Sequence, residues 1–91
     1  MPKYVIEREI PGVGTWPVEK LQATSRKSVE VLKGLGPDIQ WLESFVTGDR
    51  LYCVYIADTA EDVAEHARGA GLPANSISEV MRVIDPTTGG A

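Results

Sequence analysis

The fold is decided by the stretch IQWLESFVTGDRLYCVYIA at residues 39–57. Two runs rich in β-branched and aromatic residues, 39–47 and 51–57, are typical of β-strands. Gly48-Asp49 lies between them and fits a two-residue hairpin loop. The stretch therefore predicts an antiparallel β-hairpin.

The length of this loop sets which side chains share a face of the sheet. A two-residue loop places Phe45 opposite Tyr52. A three-residue loop would exchange the faces on which the side chains of one strand lie relative to the other, because side chains alternate with a period of two. We favour the two-residue loop, and we expect the more apolar face to meet the helices. That face carries Trp41, Glu43, Phe45, Tyr52, Val54 and Ile56. The face left for water or a partner subunit carries Leu42, Ser44, Val46, Cys53 and Tyr55.

Alternation and helical spacing predict two further strands and two helices outside the hairpin. These elements cover residues 3–9, 17–35, 60–70 and 76–84. The resulting order β-α-β-β-α-β predicts a ferredoxin-like α+β fold, with a four-stranded antiparallel sheet and two helices on one face. We expect a single domain over residues 1–85 and a flexible C-terminal tail over residues 86–91. The sheet face without helices favours a homodimer of the dimeric α/β-barrel type.

The composition argues against several classes of function. The chain has 91 residues, a net charge of −4 and nine basic residues that are scattered along it. Nucleic-acid binding is not expected, because phosphate recognition needs a concentrated cationic surface. No apolar run approaches a membrane span of roughly 20 residues, and the start of the chain lacks a signal-peptide pattern, so we expect a cytoplasmic protein. Neither a nucleotide nor a flavin is indicated, since no nucleotide-binding fingerprint occurs.

The one histidine is the leading candidate for chemistry. Imidazole titrates near neutral pH and suits nickel among the divalent metals. Helical spacing puts His66 on the flank of the second helix that faces the sheet, where Glu43, Tyr52 or Arg8 could meet it. One interpretation is a divalent metal site with His66, Glu43 and Glu7 as ligands. A second is an acid–base pair of His66 and Glu43 in a small-molecule pocket, and a third is a hydrogen-bonded histidine in the core.

The pocket interpretation requires further side chains around this histidine. Aromatic residues would form its apolar walls, and we expect a small cysteine to fill space beside them. The candidates for lining it are Trp41, Phe45, Tyr52, Arg8, Cys53 and Tyr55. Cys53 is the only cysteine, so the chain forms no internal disulfide.

Several segments together resemble a family of small bacterial proteins of unknown function that includes a nickel-responsive, nickel-binding protein. The segments are Tyr4-Val5-Ile6-Glu7-Arg8, Trp41 to Thr47, Leu51 to Ala57, His66-Ala67 with Gly71-Leu72-Pro73-Ala74, Glu79-Val80 and Asp85-Pro86. The resemblance implies a ferredoxin-like subunit in a homodimer and metal binding by at least one member. It does not imply an enzymatic activity. The residues of this chain that the resemblance marks as family positions are Glu7, Arg8, Trp41, Tyr52, Cys53, Tyr55 and His66.

A weaker likeness concerns residues 58–66. They are similar to the second helix of cofactor-free antibiotic-biosynthesis monooxygenases, which are also ferredoxin-like dimers with a pocket between sheet and helices. A shared fold does not transfer function by itself. The functional hypotheses are therefore weak binding of a divalent metal such as nickel, a small-molecule-binding protein or cofactor-free enzyme, and a structural or interaction module.

Overall fold

A computed structural model describes residues 1–90 and has the predicted ferredoxin-like order of elements. The elements are β1 (Lys3–Glu9), α1 (Val18–Leu35), β2 (Ile39–Val46), β3 (Arg50–Ala57), α2 (Ala60–Ala70) and β4 (Ser76–Glu79), with short 3-10 turns at Val13–Thr15 and Pro86–Gly89. The strands form one antiparallel sheet in the order β2-β3-β1-β4. Both helices pack on the same face of this sheet, so the other face has no helix. Neither helix has the length and apolar character needed to cross a bilayer, as far as residues 1–90 are concerned.

The last strand is shorter than the predicted span of residues 76–84. β4 ends at Glu79, which lies opposite Tyr4. The next amide, of Val80, donates to the carbonyl of Lys3 at 2.8 Å, and Lys3 is the first residue of β1. Residues 81–84 therefore run past the end of β1, where the chain offers no strand to pair with.

The hairpin register is confirmed. Phe45 lies opposite Tyr52, and the Thr47 amide donates to the Arg50 carbonyl at 2.9 Å. The predicted choice of face is wrong, however. Cys53 and its neighbours of the same parity are buried under the helices, whereas Phe45 is 54% exposed. Both faces of the hairpin are apolar, so the pattern does not distinguish them. The handed crossover from β1 through α1 to β2 decides which face the helices cover.

A β-bulge at Leu42 moves one predicted partner. Trp41 lies opposite Tyr55 and Glu43 lies opposite Val54. Tyr55 and Val54 are consecutive in β3, so β2 has one extra residue at this point, which is Leu42. Continued without a bulge, the register of Phe45 opposite Tyr52 would place Trp41 opposite Ile56. The bulge turns Trp41 to the helix side while Glu43 stays on the side without helices.

The core lies between the sheet and the helices. Its buried members are Tyr4, Ile6, Val13, Ile39, Leu51, Cys53, Tyr55, Ala57 and Val63. The second helix starts where the Asp62 amide donates to the Thr59 hydroxyl at 3.1 Å, and it ends at Gly71, whose φ of 71° is left-handed. These caps explain why α2 spans Ala60–Ala70, as predicted.

The sheet face without helices is called the open face below. The strand registers place on it Val5, Glu7, Glu43, Phe45, Tyr52, Val54 and Ile56, together with Lys3, Glu9, Gln40, Arg50, Ser76 and Ser78. The apolar and aromatic members are neighbours across β1, β3 and β2, because Val5 pairs with Val54 and Tyr52 pairs with Phe45. The open face therefore has an apolar strip in its middle, with charged and polar side chains around it, whereas a solvated sheet face is usually polar throughout.

Candidate functional site

A buried cation lies at the centre of the space between sheet and helices. Arg8 extends from β1 to the helix side and is completely buried. Its Nη1 donates to the Pro73 carbonyl at 2.8 Å, Nε to Cys53 Sγ at 3.4 Å, and Nη2 to Tyr55 Oη at 3.4 Å. No carboxylate within residues 1–90 forms an ion pair with it. The guanidinium is thus hydrogen-bonded to uncharged acceptors and has no counter-ion among these residues, which is an unusual arrangement for a buried charge.

The histidine completes this polar cluster. His66 projects from α2, is fully buried, and has its Nε2 3.0 Å from Tyr55 Oη. Its Nδ1 has no hydrogen-bond partner within residues 1–90. Burial and, to a smaller extent, the charge of Arg8 together lower the pKa of His66 to about 4. Burial also raises the pKa of Tyr55 to about 12. Near neutral pH both side chains are therefore uncharged, and Arg8 is the only charge in the cluster.

The predicted partners of the histidine are replaced by another residue. Glu43 and Tyr52 were expected near His66, but both lie on the open face, and Tyr55 forms the hydrogen bond instead. Arg8 belongs to the same cluster through Tyr55. The acid–base pair of His66 and Glu43 loses its geometric basis, because the sheet separates the two side chains.

The three predicted metal ligands do not come together within the chain. His66 is buried on the helix side, whereas Glu7 and Glu43 lie on the open face. Glu7 is also 3.4 Å from the guanidinium of Arg50. Within residues 1–90 no group of three His, Cys, Asp or Glu side chains converges on a point. A nickel site assembled from one protomer therefore does not fit this arrangement.

The predicted pocket residues divide between the two faces. Trp41, Cys53, Tyr55 and Arg8 lie on the helix side, as a pocket there requires, whereas Phe45 and Tyr52 lie on the open face. The reversed choice of face brings Cys53 and Tyr55 to the helix side and takes Phe45 and Tyr52 away from it, and the bulge keeps Trp41 on the helix side.

A small cavity adjoins the polar cluster through the cysteine. It lies between the sheet and α1 and has a volume of about 60 Å³. This is well under the roughly 150 Å³ of a cavity that admits benzene. Its lining residues include Trp16, Ser28, Trp41, Ser44, Cys53 and Leu72. The Trp41 indole donates to the Ser44 hydroxyl at 2.9 Å, so this wall is held in place. The cavity can hold a group of only a few heavy atoms.

Apart from Trp41 and Cys53, the residues that line this cavity were not predicted as site residues, and two of them show why. Ser28 is the one buried residue of α1, and the signal for it is a serine in the apolar stripe of an otherwise amphipathic helix. Trp16 lies in the turn before α1, with the Lys20 amine 4.0 Å from its ring centroid. Nothing in the sequence around Trp16 distinguishes a cavity wall from a surface aromatic.

The chain matches a protein-family model over most of its length. The model of the nickel-responsive protein SCO4226-like family matches residues 4–80. The chain belongs to this family. The matched range includes the whole polar cluster of Arg8, Cys53, Tyr55 and His66, and it ends just before residue 81. No curated protein matches the chain.

A solved structure agrees with this assignment at the level of the fold. The crystal structure of SCO4226 from Streptomyces coelicolor A3(2) superimposes with a TM-score of 0.76 and covers 90% of this chain and 99% of its own. The two sequences are 18% identical over the match. At that identity the similarity establishes the ferredoxin-like arrangement, and residue roles have to be argued from this chain's own contacts.

Proposed function

We propose that this SCO4226-like protein works as a homodimer whose protomers pack their open faces together. The observation that carries the proposal is the apolar character of that face. Phe45 is 54% exposed, and neither helix covers its neighbours Tyr52, Val54, Ile56 and Val5. A contiguous apolar surface of this kind is typically an interaction surface. A two-fold dimer buries the same surface of both copies.

A charge placed in the middle of the open face tests the dimer. Val54→Lys puts an ammonium group into the proposed interface, and we expect light scattering at micromolar protein to give the monomer mass. Val29→Lys is the matched control, because Val29 lies on α1 and is 40% exposed. That variant should keep the dimer mass of the unmodified protein. A monomer mass for the unmodified protein contradicts the proposal.

We further propose that the dimer binds a divalent transition metal weakly through Glu7 and Glu43 of the open faces. Membership of a nickel-responsive family motivates the metal. Carboxylates and water molecules can complete an octahedral shell around such ions, and a two-fold dimer doubles the number of carboxylates at the interface. His66 is not a ligand in this proposal, because its Nε2 is occupied by Tyr55 and its ring is buried. The interaction of Glu7 with Arg50 favours weak binding, since a metal has to compete with that pair.

Calorimetric titration with nickel, zinc and copper salts tests the metal proposal. Titration of the unmodified dimer should give a heat signal that corresponds to weak binding. Glu7→Gln combined with Glu43→Gln should abolish that signal. Glu30→Gln is the control, because it removes an exposed carboxylate of α1 that forms an ion pair with Lys33. His66→Gln should bind like the unmodified protein. Loss of binding in His66→Gln, or no binding by the unmodified dimer, contradicts the proposal.

A second candidate function is the binding of a small uncharged molecule in the cavity beside Cys53. The cavity itself supports it, because hydroxyl groups of Ser28 and Ser44 and two indole rings surround a space of about 60 Å³. Titration with short-chain alcohols should change the fluorescence of Trp16 and Trp41. Ser28→Leu fills the space and should remove the response, whereas Ser76→Leu, on the exposed β4 edge, should not. An equal response in both variants contradicts a site in the cavity.

A further inference from the structure

The segment after β4 carries apolar side chains that its own protomer leaves uncovered. Residues 81–84 are called the arm below. Met81 is 80% exposed, Val83 is 74% exposed and Ile84 is 77% exposed, the highest values among the large apolar side chains of the protein. Beyond the Val80 amide, the backbone hydrogen bonds of residues 81–90 are all local to the turn at Pro86–Gly89. The arm therefore extends from the body without packing on it.

The arm leaves the sheet at one particular end. β4 finishes beside the start of β1, because the Val80 amide donates to Lys3. The start of β2 lies at the same end, since Ile39 is opposite Ala57, the last residue of β3. The arm and the start of β2 are thus at one end of the sheet but at opposite edges, given the strand order β2-β3-β1-β4.

A groove complementary to the arm lies at that end, beside the start of β2. It is lined by Leu35, Asp38, Ile39, Asp58, Thr59, Asp62 and Glu65 and has a volume of about 310 Å³. Four of these residues are carboxylates and two are apolar. The arm has the matching character, because Arg82 is its one charge and Met81, Val83 and Ile84 surround it. Attraction between the guanidinium and the carboxylates would orient the arm in the groove, and burial of the apolar side chains would stabilise it there.

We propose that the arm of each protomer docks in this groove of the second copy, wrapping around the end of the partner's sheet. This inference rests on the proposed packing of the open faces. A two-fold axis parallel to the strands puts β4 of one protomer over β2 of its partner, so each arm emerges next to the partner's groove. Face-packed sheets are about 10 Å apart, and residues 80–84 span up to about 17 Å when extended. The groove opens on the helix side of the partner's sheet, where Leu35, Asp62 and Glu65 line it, so the far end of the arm, at Val83 and Ile84, is the part that reaches it.

Disulfide cross-linking between two different variants tests the exchange. Val83→Cys introduces a thiol in the arm, and Glu65→Cys introduces one in the groove. Chains that carry one variant each, with tags of different mass, should form a mixed disulfide when combined, and neither variant alone should do so. The unmodified protein is the control for Cys53, which is buried. A double variant that forms only a disulfide within one chain, or no mixed disulfide at all, overturns the inference.

The dissociation constant of the dimer supplies a second, independent readout. Val83→Ser combined with Ile84→Ser in the full chain should raise it about 100-fold or more, because each dimer would lose four buried apolar side chains. Val29→Ser removes an exposed apolar side chain elsewhere and should leave it unchanged. Arg82→Glu should raise it about tenfold, and Arg82→Lys should restore most of the affinity.

The two proposals fail in different ways. A monomeric unmodified protein contradicts the packing of the open faces. An unmodified protein that is dimeric, with an unchanged dissociation constant in the arm variants, contradicts the exchange of the arm alone.

Discussion

Lowering the pH should destabilise the protein through its single histidine. The neutral imidazole of His66 is buried, and its pKa is about 4 in the folded protein against an ordinary value of 6.5. Between these two values the unfolded chain binds a proton that the folded chain does not, so the free energy of unfolding falls as the pH falls. Above about pH 6.5 the stability is at its full value, and below about pH 4 the whole contribution is lost.

The size of the effect follows from the two pKa values. A tenfold difference in proton affinity corresponds to about 1.4 kcal/mol. The interval from 6.5 to about 4 therefore corresponds to about 3 kcal/mol of lost stability. The ring is fully buried, so solvent does not screen this contribution as it would on the surface.

Urea denaturation at fixed protein concentration measures the effect at several pH values between 7 and 4. His66→Gln is the reference, because it keeps an amide near Tyr55 but does not titrate, while all carboxylates remain. The difference between the two free energies of unfolding should change by about 3 kcal/mol over this range. Because the chain has one histidine, proton NMR of its Cε1–H resonance reads the pKa directly. Parallel pH profiles for the two proteins, or a pKa near 6.5, would refute the reasoning.

Three further changes have defined outcomes. Arg8→Met removes the buried charge that lowers the pKa of His66, so that pKa should rise in the NMR titration; a value unchanged from the unmodified protein contradicts this. Gly69→Ala should destabilise by about 1–3 kcal/mol in urea, because its Cβ would lie 2.8 Å from a side chain of α1. Gly34→Ala in α1 is the control, since its Cβ meets nothing within 4 Å, and it should stabilise by about 1 kcal/mol. Thr59→Ala should cost about 1 kcal/mol, because the Asp62 amide loses its capping hydroxyl, and Thr59→Ser should recover most of it.

Local sequence patterns were sufficient to predict the helices and strands and the turn between β2 and β3. The spacing of apolar residues predicted α2 at residues 60–70, and the glycine and aspartate at 48–49 predicted the pairing of Phe45 with Tyr52. Both depend on residues close together in the chain, where turn geometry and helix capping act. The ferredoxin-like order of elements follows from these local patterns, and the solved SCO4226 structure has the same arrangement.

The composition of the site was decided only by the tertiary structure. Which face of the hairpin meets the helices depends on the handed crossover through α1 and not on apolarity, because both faces of β3 are apolar. The bulge at Leu42 then sent Trp41 and Glu43 to opposite sides of the sheet. As a result Tyr55, and not Glu43, contacts His66. Contacts across 11 residues of chain, as here, or across the 45 between Arg8 and Cys53, arise from the packing of whole elements, which no local pattern encodes.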